Sequence, residues 1–232
     1  MFMGTTDRKK RERESREKEI IQAAKELFIL KGYENTTIDD IAAKVELSKG
    51  TIYLYFESKD ALFYAVSKSG MALMRDIFKN AVNKQELGLN QFAAIGLSYA
   101  DFWERYPEYH HLLHRMPVVK PPEGSGPHGK EYASLSEEIM GIMVRSIEVG
   151  IDDGSVRSGL NPKVVAFCIS SSLQGVLEVW EASREQMERM GMGREYLIMQ
   201  TMELYGQALI DPKLAQKCSI DEVMNRISKS QG

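Results

Sequence analysis

The 232-residue sequence lacks the hallmarks of several large protein classes. Its two cysteines, Cys168 and Cys218, exclude a disulfide scaffold and the CxxC pairs of a structural zinc site. Its longest apolar runs, such as residues 61–66 and 164–169, fall far short of the roughly 20 residues that a membrane span needs. The start MFMGTTDRKKRERESREK is charged where a signal peptide is apolar. We therefore expect a soluble, cytoplasmic protein with no membrane partner.

Neither sign of charge dominates, since 30 Lys and Arg stand against 33 Asp and Glu. The distribution is nevertheless uneven. Residues 1–18 carry seven basic and four acidic side chains, whereas residues 81–232 carry 15 basic and 20 acidic ones. A basic terminal segment can contact a polyanion such as nucleic acid while an acidic body stays soluble, and a solvated helix of mixed charge gives the same pattern.

Motifs for catalysis are also missing: the chain has no GxSxG, no P-loop and no GxGxxG. His110, His111 and His114 form the one metal-like cluster, in which His110 and His114 would share a helical face. No third ligand is evident, and no Glu follows the first His as in HExxH. We predict no enzyme, no cofactor and no metal, with a helical metalloenzyme at these histidines as a rival hypothesis.

Apolar residues recur at helical spacing throughout, and no segment alternates as a strand does. Ile20, Ala24 and Phe28 mark a first helix that Gly32 ends. The Pro- and Gly-rich segment 116–130 is predicted to be a loop. The pattern thus predicts an all-α fold of four short N-terminal helices and a larger helical body. Further helices are predicted over residues 134–152, 162–189 and 194–210, with an amphipathic tail over residues 219–228.

Residues 36–63 contain three closely spaced helix starts. Thr37, with Asp40 three positions later, predicts a capping box before the second helix. Ser48 and Ser58 are suited to cap the third and fourth helices. A turn over residues 45–48 separates the second helix from the third. Two short helices joined in this way form a helix-turn-helix, which places its second helix in the major groove of DNA.

The third helix begins SKGTIYLYF, and its two faces differ. Ile52 and Phe56, four residues apart, are predicted to face the core. Lys49, Thr51 and Tyr55 lie on the opposite face, where they could touch base edges, and Gly50 would allow close approach. Thr37, Tyr53 and Lys59 are placed to contact the DNA backbone on either side. An ordinary helical hairpin with packing or capping residues is the alternative interpretation.

This stretch resembles the DNA-binding domain of the tetracycline-repressor (TetR) family of bacterial transcriptional regulators. The resemblance rests on Ile41-Ala42, on Ser48, on the run from Gly50 to Phe56, and on Lys59 with Leu62. The segment 23–42 is similar to the first helix of the family and its entry into the second. The close match covers residues 16–66, and beyond it only helix order and length agree. One departure is Glu46, because the family turn often has Gly there; a positive φ would strain Glu, and its charge would repel phosphate.

The resemblance implies a DNA-binding domain over residues 1–62 and a ligand-binding and dimerisation domain over residues 63–232. It implies a homodimer on a palindromic DNA operator, with half-sites about 34 Å apart, and a repressor that a small-molecule effector releases. By carry-over, the residues contacting bases would be Lys49, Gly50, Thr51 and Tyr55. Those contacting phosphates would be Thr37, Ser48, Tyr53 and Lys59. The arm over residues 8–16, with Arg8, Lys9, Lys10 and Arg11, could add non-specific contacts. The alternatives are an activator, or a helical ligand- or partner-binding protein without operator binding.

The proteins that this chain resembles dimerise through their last two long helices, which correspond here to residues 162–189 and 194–210. The predicted interface residues are Ile169, Ser172, Val176, Trp180, Ile198, Met202, Tyr205 and Leu209. A ligand pocket is expected among the body helices, and its Met and aromatic content favours a hydrophobic ligand. The predicted pocket residues are Tyr99, Trp103, Tyr106, Met140, Met143, Phe167, Ser171 and Gln174. Ordinary core packing explains either set as well.

Overall fold

The computed structural model describes residues 5–113, 126–215 and 222–223, and within these residues the secondary structure is helical apart from one isolated bridge between Val156 and Ile210. The all-α prediction is confirmed for this part of the chain. The α-helices are α1 (Thr5–Lys31), α2 (Ile38–Lys44), α3 (Lys49–Tyr53), α4 (Lys59–Val82), α5 (Gly88–Arg105), α6 (His110–Leu113), α7 (Gly126–Asp153), α8 (Pro162–Ala182), α9 (Arg184–Arg189), α10 (Arg194–Leu209) and α11 (Pro212–Ala215), with a 3-10 turn over Pro107–Tyr109.

The first of two compact units contains the described residues of 5–71 and 108–134. Its core forms where α1 packs on the short helices, and Ile20, Phe28, Ile41 and Ile52 are all at most 1% exposed. The ring of Phe28 meets Phe63 of α4 edge to face at 5.4 Å. As expected, α1 ends before Gly32, whose φ of 79° is a left-handed conformation that suits glycine.

Residues from later in the chain complete this first unit. The ring of His128 lies 5.5 Å from that of Phe56, and Tyr132 lies 5.3 Å from Tyr64. These contacts belong to the first turns of α7, which begins at Gly126, so the prediction of a loop over 116–130 is wrong for residues 126–130. The apolar burial of Tyr132 explains why the helix continues into a segment rich in helix-breaking residues.

The second unit contains the described residues of 72–107 and 135–223. In it α5 packs against α10 so closely that a Cβ on Gly96 would lie 2.5 Å from the Met202 side chain. At the start of α5, a Cβ on Gly88 would collide with the backbone of Gly150 on α7. The Gly88 amide donates to the Asp153 carboxylate at 2.8 Å, which satisfies one of the free amides of the helix start. Glycine at these contacts brings the helices of the body together.

Two predicted boundaries differ from the structure. The helix predicted over 162–189 is interrupted at Ser183, where φ of −129° and ψ of 27° separate α8 from α9. The predicted domain boundary at residue 62 falls inside α4, whose residues up to Met71 belong to the first unit and whose later residues belong to the second. Among the described helices, α8 is the one that is long and apolar enough, by length and composition alone, to cross a membrane. The predicted tail over 219–228 lies outside the described residues except for residues 222–223.

Candidate nucleic-acid interface

The start of α2 is fixed by the predicted capping box. The Asp40 amide donates to the Thr37 hydroxyl at 3.1 Å, and the Thr37 amide donates to the Asp40 carboxylate at 2.8 Å. The Lys31 ammonium is 2.9 Å from the same carboxylate. The Thr37 hydroxyl and the Lys31 ammonium hold the pKa of Asp40 well below its usual range. The amide and the hydroxyl of Thr37 thus both take part in ordering the first turn of α2.

The turn between α2 and α3 depends on Glu46. The Leu47 amide donates to the Ala42 carbonyl at 2.9 Å, and the Glu46 amide donates to the Ala43 carbonyl at 3.3 Å. This pair of bonds is a Schellman motif, whose C′ position takes a left-handed conformation and is usually glycine. Glu46 occupies it with φ of 54°, which makes it the one non-glycine residue with positive φ in the described part of the chain. The expected strain at this position is therefore present.

Helix α3 has five residues and begins after the predicted cap, Ser48. The Thr51 amide donates to the Ser48 hydroxyl at 3.1 Å, and the hydroxyls of the two residues are 2.8 Å apart. Ile52 is fully buried and Phe56 is 2% exposed, as predicted. So short a helix has little stability of its own, and its capping and these two apolar anchors hold it in place.

The opposite face of α3 is open. Lys49 and Gly50 are exposed, Thr51 is partly exposed, and Tyr53 is 47% exposed. A Cβ on Gly50 would meet nothing closer than the Ser48 hydroxyl at 3.8 Å, so packing within the protein does not require glycine there. A small residue at this position leaves room for a partner to approach from outside. The outer face thus combines hydrogen-bonding groups with access, as contact with DNA requires.

Lys49 has an intramolecular partner. Its ammonium lies 2.8 Å from the carboxylate of Asp39 on α2, and this pair raises the pKa of Lys49. Asp39 was not among the residues predicted from sequence. Because Asp39 is itself exposed, a phosphate that approaches Lys49 must compete with this carboxylate.

Lys59, at the start of α4, also has defined neighbours. Its ammonium lies 4.2 Å from the centre of the Tyr33 ring and 3.4 Å from the Glu34 carbonyl oxygen. The Tyr33 hydroxyl donates to the Asp60 carboxylate, and burial together with this carboxylate raises the pKa of Tyr33. Lys59 remains partly exposed, so its charge is accessible at the surface.

All eight residues predicted to contact DNA lie between the end of α1 and the first turn of α4, in the first unit. Their contact with DNA stays a prediction. Within the predicted 8–16 arm, the structure places Arg13 beside this region: its guanidinium lies 5.5 Å from the centre of the Tyr55 ring and donates to the Leu54 carbonyl at 3.5 Å. The signal for Arg13 was its spacing from Ile20, seven residues or two turns along one face of α1.

The eight predicted pocket residues all belong to the second unit, and their sharing of one pocket stays a prediction. On α5, Trp103 is 2% exposed and lies edge to face with Tyr99 at 5.7 Å, and burial raises the pKa of Tyr99 to about 12. Met143 on α7 is also buried. Phe167 needs correction, because 50% of it is exposed on the outer side of α8, so it does not line the interior. Partly buried positions are occupied by Tyr106, Met140, Ser171 and Gln174.

The predicted interface residues need a larger correction. Five of the eight are at most 6% exposed and pack inside the protomer, so they are not available to a second copy: Ile169, Trp180, Ile198, Met202 and Leu209. Two of the remaining three bond to each other, since the hydroxyls of Ser172 and Tyr205 are 2.6 Å apart; Val176 is partly exposed. The exposed apolar side chains on these helices are instead Val164, Phe167, Val179, Tyr196 and Leu204.

The candidate metal cluster lies outside what the structure describes: His114 is not described, and neither are the side chains of His110 and His111. Among the described residues, no group of three or more His, Cys, Asp or Glu side chains is arranged to hold a metal ion.

Known proteins match the N-terminal part of the chain in sequence. Residues 20–66 match the family described as bacterial regulatory proteins, tetR family. The uncharacterized HTH-type transcriptional regulator YfiR of Bacillus subtilis is 37% identical over 62 residues, which cover 27% of this chain and 30% of that protein. A second regulator of that organism, YuxN, is 45% identical over 51 residues, and the aligned residues cover 18% of that protein. The chain thus spans less than a third of these two relatives.

Other matches extend over the body. The fatty acid metabolism regulator protein of Bacillus subtilis is 22% identical over 187 residues, covering 77% of this chain and 90% of that protein. The crystal structure of the transcriptional regulator FadR from Bacillus subtilis, in complex with stearoyl-CoA, aligns with a TM-score of 0.62 at 17% identity. That alignment covers 81% of this chain and 96% of the other, and it shows a shared fold. Residues 20–66 thus have the sequence of the tetR family of bacterial regulatory proteins, and the chain shares its fold with FadR.

Proposed function

We propose that the chain is a transcriptional repressor that binds a palindromic operator as a homodimer and is released by a small hydrophobic ligand. The proposal rests on the difference between the two faces of α3, one buried and apolar and the other exposed and polar. Ile52 is fully buried while Lys49 and Gly50 are exposed and Tyr53 protrudes. A short capped helix that presents polar side chains matches the dimensions of the major groove. Such a protein acts without catalysis, in the cytoplasm of a bacterium.

The residues divide into two kinds of DNA contact. Lys49, Gly50, Thr51 and Tyr55 belong to the α3 region that would enter the groove, where they contact base edges. Phosphates would be bound by Thr37, Ser48, Tyr53 and Lys59, and these contacts set the register of α3 on the duplex without carrying sequence information.

The homodimer would form through the outer faces of α8 and α10. On α8, Val164, Phe167 and Val179 are each at least 50% exposed, and on α10 Leu204 is 68% exposed. Residues 164, 168, 171, 175 and 182 follow one face of α8 at helical spacing, with the small Ser171 and Gly175 within it. Phe167 and Val179 lie at the edges of this face, and Glu178 is its charged residue. An exposed apolar helix face of this length is typical of a protein interface, which also accounts for the hydropathy of α8.

The ligand would bind in the body near the aromatic side chains of α5. Phe78, Tyr99 and Trp103 form successive ring contacts at 6.3 and 5.7 Å. Such walls favour an apolar ligand with few polar groups. Because a structure of similar fold was solved with stearoyl-CoA, long-chain acyl-CoA thioesters and the corresponding free acids are the first ligands to test.

Release would require coupling between the two functions. Five residues separate α3 from α4, and α4 contributes residues to both compact units. A shift of α4 in the body therefore reaches the DNA-binding unit through one continuous helix. A 100-fold loss of operator affinity corresponds to about 2.7 kcal/mol of coupling. Linkage requires DNA to weaken ligand binding by the same factor.

The proposal is tested by fluorescence anisotropy with duplexes from the DNA that borders the gene for this chain. We expect tight binding to a palindromic segment, a steep loss of affinity with salt, and release by a subset of acyl ligands. Transcription in vitro from the same segment distinguishes a repressor from an activator. Absence of salt-dependent binding to any duplex would reject operator binding.

The alternative is a helical ligand- or partner-binding protein that does not bind an operator. Two observations favour it: Glu46 adds a negative charge to the turn before α3, and Asp39 already neutralises Lys49. In that case calorimetry would still detect ligand binding, and adding duplex DNA would not change the ligand affinity.

A further inference from the structure

Two arginine side chains lie over the same tryptophan ring in the second unit. The guanidinium carbon of Arg184, at the start of α9, is 4.9 Å from the centre of the Trp180 ring. The guanidinium carbon of Arg194, at the start of α10, is 5.6 Å from the same centre. Trp180 itself is 6% exposed. One cation on an aromatic ring is favourable, but a second brings two like charges together, and their repulsion is relieved when an anion binds close to both.

The charge of Arg194 is incompletely compensated within the protein. The side chain is half-buried, and burial together with the charge of Arg184 lowers its pKa. Three nearby glutamates act in the opposite direction, but none of the carboxylates that the structure describes forms an ion pair with this guanidinium. Partial burial strengthens the attraction between the guanidinium and an added anion, because less water screens it.

Both guanidiniums also keep hydrogen-bond donors in reserve. Arg184 contacts the two carboxylate oxygens of Glu181 at 3.0 Å through a single nitrogen, Nη2. Arg194 donates to the Trp103 carbonyl at 2.8 Å, again through Nη2. A guanidinium has five N–H donors, and the described residues supply no further acceptor to either side chain. The remaining N–H groups suit the oxygens of a carboxylate or a phosphate.

The arginine pair lies at the end of the aromatic row that is proposed to contact the ligand. The Trp103 ring meets Tyr99 edge to face at 5.7 Å, and Tyr99 meets Phe78 at 6.3 Å. Phe78 and Trp103 are buried, Arg194 is half-buried, and Arg184 is exposed. Along this row the side chains thus change from buried and apolar to exposed and cationic, which matches a ligand with an apolar chain and a charged end.

We propose that Arg184 and Arg194 bind the anionic group of an amphiphilic effector whose apolar chain lies along the aromatic side chains of α5. The proposal rests on the proposed function and narrows its ligand class from hydrophobic molecules in general to chains that carry a carboxylate or a phosphate-bearing group. The anion accepts from the donors that Glu181 and the Trp103 carbonyl leave unused, and it reduces the repulsion between the two cations. A neutral molecule with the same chain gains neither contribution.

The test combines ligands that differ in charge with variants that lose charges at different places. Dodecanoate, dodecanoyl-CoA and the neutral dodecan-1-ol are titrated into the protein below their aggregation concentrations, and calorimetry measures each affinity. Arg184→Gln/Arg194→Gln removes the proposed anion site. Arg145→Gln/Arg189→Gln removes two exposed arginines of the same unit and is the matched control.

We expect the wild type and the control to bind both anions. The Arg184→Gln/Arg194→Gln protein should bind them more weakly by about tenfold or more, the factor that one charge-assisted hydrogen bond contributes, and should bind dodecan-1-ol unchanged. A loss restricted to one anion supports the proposal and identifies whether the site takes the carboxylate or the phosphate-bearing group. An equal loss for the alcohol, no loss for either anion, or no binding of any of the three ligands by the wild type would overturn it.

A second variant protects the test against misfolding. Arg184→Gln alone changes an exposed side chain and should weaken anion binding in the same direction but to a smaller extent. Circular dichroism checks the fold of every variant. If Arg184→Gln is folded and binds both anions as tightly as the wild type does, the pairing of the two arginines in one site is rejected.

Operator binding on the same proteins separates this proposal from the proposed function. If the wild type binds no duplex in the anisotropy experiment, the operator function fails, while calorimetry still decides the anion site. If the wild type binds the operator and dodecan-1-ol releases it as well as the two anions do, with no difference in the Arg184→Gln/Arg194→Gln protein, the repressor proposal stands and only the anion site is rejected. We expect release by the anions to need at least about tenfold more ligand in that protein.

Discussion

The outer faces of α3 and α8 are both exposed, yet they are built from opposite kinds of side chain. α3 presents Lys49 and Tyr53 around Gly50, whereas α8 presents Val164 and Phe167. The first surface suits a hydrated polyanion and the second suits an apolar partner. The two proposed associations, with DNA and with a second copy of the chain, should therefore respond differently to salt. DNA binding weakens steeply as counterions compete, whereas apolar association is little affected or strengthened.

The largest expected effect comes from placing a charge on the apolar face. Phe167→Asp should raise the dimer dissociation constant by about 100-fold or more, because the new carboxylate would have to be desolvated in the interface. Sedimentation equilibrium at low and high salt measures the change. Leu87→Asp, on an exposed apolar residue of the same unit at the N-cap of α5, is the matched control and should remain dimeric. A Phe167→Asp protein that stays dimeric would move the interface elsewhere.

The same two helices show why one region was predictable from sequence and the other was not. Ile52 of α3 and Phe56 just after it form a single apolar stripe, so burial of one face leaves the polar residues of α3 outside. In α8, apolar residues lie all round the helix: Ile169 is buried while Phe167, two residues earlier, is half exposed. Periodicity identifies such a helix but not which apolar stripe faces its own protomer. For this reason the prediction is wrong for Phe167 in the pocket and for five interface residues, which are buried in the protomer: Ile169, Trp180, Ile198, Met202 and Leu209.

The sequence pattern did not predict which distant segments contact each other. The Schellman turn at Glu46 could be anticipated, because the strain follows from local backbone geometry. Its spacing from Ile20 places Arg13 on the packed face of α1, but its position over the ring of Tyr55, 42 residues later, depends on how α1 packs. The same holds for the packing of His128 on Phe56, which starts α7 inside a segment that composition assigned to a loop.

A substitution at the cap of α2 should disturb the polar region around α3 and leave the apolar face of α8 intact. Thr37→Ala removes the side-chain cap of α2 and should lower the free energy of unfolding by about 1 kcal/mol, because an amide of the first turn loses its acceptor. The change is measured by urea denaturation. Dimer dissociation should not change, and Thr37→Ser, which keeps the hydroxyl, is the control. An unchanged stability would mean that the cap is not formed in solution.

Acid titration provides a signature of the same capping box. Since the pKa of Asp40 is depressed in the folded state, its ionised form stabilises folding at pH values above the ordinary carboxyl pKa of about 4. That contribution is lost as the pH falls below this value towards the folded-state pKa. The stability difference between wild type and Asp40→Asn should therefore shrink with acidification. A difference that is independent of pH would contradict the role of Asp40.

A smaller effect is expected at the turn that orients α3. Glu46→Gly should raise the free energy of unfolding by about 0.5–1 kcal/mol, because relief of left-handed strain exceeds the entropy cost of glycine. Glu46→Gln removes the charge but keeps the strain, so it should gain operator affinity without gaining stability. Thermal denaturation and anisotropy separate the two contributions. If Glu46→Gln is stabilised as much as Glu46→Gly, the charge and not the backbone conformation is the source of the cost.

The smallest effect concerns the ion pair that competes with DNA for Lys49. Asp39→Asn removes the carboxylate 2.8 Å from the Lys49 ammonium and should tighten operator binding by about two- to fivefold, the range of an exposed ion pair. Asp39→Glu keeps the charge and is the control. In a Lys49→Ala background, Asp39→Asn should have a smaller effect, because the cation that it releases is gone; anisotropy on the four proteins of this cycle measures the coupling. If Asp39→Asn weakens binding instead, Asp39 positions Lys49 for its DNA contact, and the polar face of α3 is pre-organised rather than restrained by this carboxylate.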